Sequence, residues 1–145
     1  DLTTRVLHVQ HDILTRAVSG PLEPYLDLCW FAALRSVSAL QPFRRSGLPT
    51  SAEATVDFLL RNPKCPRSVE YCLLEAARWL LEIPQHERAM AACADLQNML
   101  TEVDVAALLD GDLNDFVDDL QLGIGAVHEQ LTESWFSPAQ VQLAH

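Results

Sequence analysis

The chain has 145 residues, 49% of them apolar and 21% charged, which suits one compact domain and is too short for two ordinary ones. That mix excludes wholesale disorder, and no apolar run approaches the ~20 residues of a membrane helix. Ten Lys and Arg stand against twenty Asp and Glu, a net charge of −10; residues 89–145 hold ten acids and no Lys or Arg, which disfavours nucleic acid and anionic membrane surfaces as partners.

Apolar residues recur at helical spacing along the chain, and no sustained alternation suggests a strand. Residues 2–18 place Val6, Val9 and Ile13 on one stripe. Gly20-Pro21 breaks the chain, and a second helix is predicted from Leu22 or Tyr25 to Leu40 through Leu26, Trp30, Ala33 and Val37. Gln41 to Pro49, with Pro42, Gly47 and Pro49, reads as a loop. Thr50 followed by Glu53 is a capping-box pattern opening a short helix that ends near Leu60. After Asn62-Pro63-Lys64-Cys65-Pro66, Pro66 suits the first position of a helix burying Val69, Leu73, Ala76, Leu80 and Ile83.

Pro84 is predicted to start a further helix, with Met90, Cys93 or Ala94, Leu96, Leu100, Val103 and Ala107 inward, until Gly111 interrupts it. The last helix has the cleanest pattern: Leu113, Val117, Leu120, Ile124, Val127 and Leu131 alternate by four and three. Gly123 and Gly125 lie inside it, where small residues allow a neighbouring helix close. The fold class is therefore an all-α bundle of about six mostly antiparallel helices, a single helical domain over residues 1–145. Asp1 in place of Met, with no basic-then-apolar leader behind it, points to a processed protein or a piece of a longer one.

No nucleophile elbow, phosphate-cradling glycine loop or H-E-x-x-H occurs, so no self-contained catalytic constellation, cofactor or metal is expected. Asp110, Asp112 and Asn114 have the spacing of a calcium loop, but Asp115 stands where the sharp turn needs glycine and Gln121 where it needs glutamate. Asp112 is better read as the cap of the last helix. His8 and His11 share a helix without a third ligand, His86-Glu87-Arg88 reads as a solvated helix start after Pro84, and His128 has no neighbouring nucleophile. Cys29, Cys65, Cys72 and Cys93 form no C-x-x-C, and Cys72 and Cys93 sit at apolar helical positions. The pattern reads as a reduced, cytoplasmic protein.

Two charged sets remain as candidate binding surfaces. Arg35, Arg44, Arg45, Arg61, Lys64 and Arg67 fall between the second helix and the start of the fourth. Loops at one end of the bundle would gather them into a cationic rim for an anion or an acidic partner; intramolecular pairing is the competing reading. Asp115, Asp118 and Asp119 form an acidic face on the last helix suited to a basic partner surface.

From Phe58 to Leu73 the chain reads FLLRNPKCPRSVEYCL. This run resembles the bacterial Alpha-E domain family, with its "FLL" helix end, its Asn/Pro turn and its "PRSV…CL" helix start. Trp30, Leu34, Arg35, Ser36, Ala39 and Phe43-Arg44-Arg45 look like the preceding stretch, and the helices to Trp135-Phe136 match the C-terminal layout, so the resemblance covers residues 25–136. It implies the C-terminal half of a longer domain. It also implies genomic or covalent association with ATP-grasp amide-bond ligases and peptide-modification proteins, in systems for peptide synthesis or modification. The expected function is an accessory, partner-binding helical module of such a system. The alternatives are an enzyme completed by a missing N-terminal half, with Arg35, Arg67 or Glu70 contributing, and a structural homodimerisation domain exposing Trp135-Phe136.

Overall fold

The computed structural model describes residues 4–7 and 25–136, apart from the side chains of Trp135 and Phe136. Val9, Ile13, His8, His11, the Gly20-Pro21 break, Leu22 and the Trp135-Phe136 patch therefore lie outside the described residues. Residues 4–7 are helical, with Leu7 fully buried and Val6 packed beside it. Seven α-helices follow, and no strand occurs among the described residues: α1 (Leu26–Ser36), α2 (Leu40–Ser46), α3 (Ala52–Arg61), α4 (Val69–Leu80), α5 (Glu87–Glu102), the single turn α6 (Val105–Ala107) and α7 (Leu113–Phe136). The all-α bundle is as the periodicity predicts.

Its second helix differs from expectation. α1 stops at Ser36 because Ser38 turns left-handed (φ 58°). Ala39 N–H donates to the Leu34 carbonyl (2.7 Å) and Ser38 N–H to the Arg35 carbonyl (3.0 Å), a Schellman-type stop that satisfies the carbonyls a helix end leaves open. The segment expected to be a loop is instead helix α2. Pro42 sits at its third position, where an N–H has no helical acceptor anyway, and the first bond runs from Phe43 N–H to the Ala39 carbonyl (2.9 Å). Gly47 closes it at φ 71°, a conformation that glycine adopts without steric cost. Phe43 explains why the helix is worth forming: it is 1% exposed and meets Phe58 edge-on at 5.2 Å.

Three helix starts also shift. Ser51, not Thr50, caps α3, accepting from Ala54 N–H (3.1 Å). Ser68 caps α4, so Pro66 lies in the preceding turn and not at the first helical position. Helix α5 begins at Glu87, after a turn over Leu81–His86 that places Gln85 at φ 60°. It ends at Glu102, earlier than expected, because Asp104 breaks away to cap α6 through Ala106 N–H (3.0 Å). Cys93, rather than Ala94, faces inward, and Val105 and Leu108 take the place expected of Ala107.

A π-type turn over Leu108–Asp112 then bends the chain at Gly111 (φ 150°). Asp112 belongs to this turn, and helix α7 begins at Leu113. The calcium-like spacing is consequently divided between a helical turn and the first turns of α7, not wrapped around one loop.

Helix α3 is the centre of the main core: Val56, Phe58, Leu59 and Leu60 are at most 2% exposed. It packs on α1, α4, α5 and α6, while α5 packs on both α4 and α7. A smaller cluster of Leu80, Ala89 and Cys93 closes the far end of α4 and α5, against Ala76, Met90, Val127 and Leu131.

The two glycines of α7 have different surroundings. A Cβ on Gly123 would fall within van der Waals contact of buried Leu96, whose Cγ would lie 3.1 Å away, whereas one on Gly125 would meet nothing within 4 Å. Gly125→Ala is expected to raise the unfolding free energy by about 0.5–1 kcal/mol through helix propensity. Gly123→Ala is expected to be less stable than Gly125→Ala by about 1–3 kcal/mol, because the same propensity gain is offset by overpacking. Denaturant midpoints check this; equal stabilities would remove the close approach of α5 and α7.

Candidate functional site

The turn carrying the Phe58–Leu73 motif is held by two side chains. Asn62 Oδ1 accepts from the N–H groups of Lys64 and Cys65, both at 2.9 Å. The Ser68 hydroxyl accepts from Tyr71 N–H (3.1 Å) and reaches the carbonyls of Asn62 and Cys65. Ser68 is fully buried, so this network is shielded from competing water. The most specific part of the family-like sequence thus positions the head of α4, with Arg67 directly before its cap.

Beyond that head, α4 and α7 both lean on α5 without packing closely on each other, and a groove of about 280 Å3 opens between them. Val69, Cys72, Leu73 and Ala76 form one wall, and Cys93 of α5 contributes to the floor. Ile124, Val127, His128 and Leu131 of α7 form the other wall. Arg67 and Ser68 stand at the α4 end. Cys72 is exposed and Cys93 buried; none of the four cysteines is in a disulfide. Burial raises the Cys93 thiol above its ordinary value of 9.0, so it stays protonated and unreactive near neutrality.

A second surface lies on the opposite side of α7. Asp118, Gln121, Leu122, Gly125, Ala126 and Glu129 outline a shallow, open depression. Leu122 at its centre is 72% exposed, and Asp115, Asp118 and Asp119 are all exposed. The three predicted acidic-face residues therefore share the solvent side of one helix, with an apolar residue and two small ones beside them.

The arginines are distributed differently. Arg35 is exposed in the last turn of α1. Arg44 lies over the Phe31 ring (5.7 Å), and Arg45 Nε donates to the Gln41 carbonyl (3.4 Å). Arg61 pairs with Asp57 and donates to the Val103 carbonyl (3.2 Å), fastening the end of α3 to that of α5. Arg61 lines a cleft with Glu53, Asp57 and Asp104, and Arg67 lines the apolar groove. Glu70 accepts from Gln97 (3.5 Å) across α4 and α5. His86 Nδ1 lies 2.6 Å from the Ile83 carbonyl, within the turn before α5.

Sequence reasoning placed Val69, Leu73, Ile124, Val127 and Leu131 in the core and did not mark them as groove walls. It also passed over Leu122, Ala126 and Glu129, and took Gly125 only as a site where a neighbouring helix comes close. An available signal was Leu122, an apolar residue off the buried stripe, followed by a glycine that costs helix stability.

Among the described residues no group of three or more His, Cys, Asp or Glu could hold a metal ion, and no helix there is long and apolar enough to cross a membrane. The model of a family described as a predicted alpha-helical domain with a conserved ER motif matches residues 1–136. The match begins well before Tyr25, where the resemblance read from the sequence starts. One Glu-Arg pair occurs in the chain, Glu87-Arg88, in the first turn of α5 with both residues exposed. No curated protein and no solved structure matches the chain.

Proposed function

The chain belongs to the Alpha-E family, and from that premise we propose that it is an accessory module that docks a partner protein through the solvent side of α7. The partner class is an ATP-grasp ligase or a related peptide-modification protein, as the family resemblance implies. The observation that carries the docking reading is the juxtaposition on α7 of Asp115, Asp118 and Asp119 with the 72%-exposed Leu122 and the small residues Gly125 and Ala126. A notch of small residues admits a partner helix closely, an exposed leucine supplies apolar contact, and flanking carboxylates select a basic surface. Residues 89–145 contain no Lys or Arg, so the charge written along α7 is of one sign.

Co-purification of the chain with such a ligase tests this. Retention is expected at low salt and is expected to weaken as the Debye length shrinks, from about 10 Å at 0.1 M to about 3 Å at 1 M. Asp115→Lys, Asp118→Lys and Asp119→Lys together are expected to abolish retention while leaving helicity by circular dichroism unchanged. Retention unaffected by the triple reversal would overturn the acidic-face docking.

A further inference from the structure

Helix α7 carries an outer stripe as regular as its buried one. Asp115, Asp119, Leu122, Ala126, Glu129 and Glu133 alternate by four and three, and all of them are exposed. An exposed leucine set between carboxylates on one helix face suits an apolar contact flanked by cations.

Helix α1 carries the counterpart. Leu28 (60% exposed), half-buried Phe31 and exposed Arg35 share its outer face at positions i, i+3 and i+7. Arg44 of α2 lies over the Phe31 ring at 5.7 Å, so two guanidinium groups flank one ring. That contact holds Arg44 on the face without neutralising it. In a chain of net charge −10, the stretch between Asp27 and Glu53 holds Arg35, Arg44 and Arg45 and no acid.

The two faces match in register as well as in sign. Leu28 and Arg35 are seven residues apart, as are Leu122 and Asp115, about 10.5 Å along a helix in each case. With the helices antiparallel and Leu28 on Leu122, Arg35 meets Asp115. The Phe31 position, where Arg44 lies, then meets Asp119.

We propose that a second copy of this chain docks here, the outer stripe of α7 in one copy seating on the α1–α2 face of the next. The two surfaces differ, so the contact is heterologous and adds copies head to tail. The net charge of −10 opposes assembly over long distances. At 0.15 M salt the Debye length of about 8 Å screens whole-molecule repulsion while groups in contact still attract. A copy seated on α7 covers the strip assigned above to a partner protein, so the two compete; self-association itself needs no ligase.

Sedimentation velocity of the 145-residue protein tests this. At 0.15 M salt the average mass is expected to rise above the monomer with concentration, and at 1 M salt to fall back towards it as the Debye length shrinks to about 3 Å. Arg35→Glu with Arg44→Glu, and separately Asp115→Lys with Asp119→Lys, are each expected to weaken association by about tenfold or more, with circular dichroism unchanged. An equimolar mixture of the two double variants is expected to restore it, because each then offers the other opposite charges on both faces. A monomer at every concentration up to about 1 mM, association undiminished at 1 M salt, either double variant associating as tightly as the wild type, or a mixture no tighter than its components would each overturn the proposal. A chain that stays monomeric yet is retained by a ligase would strike this proposal alone; self-association without retention would strike only the docking to a ligase.

Discussion

Phe43→Ala is expected to lower the unfolding free energy by about 3–5 kcal/mol, a large share of the ~5–15 kcal/mol that typically holds a domain folded. Phe43 is 1% exposed and edge-on to Phe58 at 5.2 Å, so truncation removes both the transfer energy of the ring and an aromatic pair. It also removes the anchor of α2, a seven-residue helix too short to persist without tertiary contacts. Phe43→Leu refills most of the space and is expected to cost clearly less. Guanidinium denaturation with both variants checks this; a loss below about 1 kcal/mol, the size of a surface change, would mean that Phe43 is not part of the core.

Ser68→Ala is expected to cost about 2–4 kcal/mol, more than an ordinary helix cap. Losing the acceptor for Tyr71 N–H costs about 1 kcal/mol. Removing the hydroxyl donor from a fully buried site also strips a partner from the Asn62 or Cys65 carbonyl, at about 1–3 kcal/mol. Denaturation gives the total. Amide exchange in the first turn of α4 separates this loss from a general one, because Ser68 holds that turn and α7 lies beyond its reach. A cost at or below 1 kcal/mol would show that the turn is held by other contacts.

The same two residues show how far the sequence could be read. A regular stripe is legible because burial leaves its period on the chain: Leu113 to Leu131 in α7 and Val69, Leu73 and Leu80 in α4 lie where the spacing places them. Helix α2 was not legible. Pro42 and Gly47 are loop residues by composition, and only the packing of Phe43 on Phe58 reveals them as the third position and the left-handed stop of a helix. The cap of α4 was displaced for a related reason: Pro66 and Ser68 both suit a helix start, and the choice depends on the bonds Ser68 makes back to residues 62 and 65.

The groove illustrates a different limit. Leu120 and Ile124 follow one another in a single unbroken stripe, yet one is fully buried and the other lines a cleft. Periodicity records which side of a helix turns inward; where its neighbours stop covering that side depends on how α4 diverges from α7. The acidic strip was legible at Asp115, Asp118 and Asp119, since charge is written directly in the sequence. Its apolar centre at Leu122 was legible too, as the leucine that falls off the stripe running from Leu113 to Leu131.

Residue-resolved amide hydrogen exchange along α7 tests most directly whether this helix has a covered half and an open half. Amides around Val117 and Leu120 are expected to exchange only with global unfolding. Those from Ile124 to Leu131 are expected to exchange at least about tenfold faster through local opening. Uniform global protection from Leu113 to Leu131 would contradict the open groove.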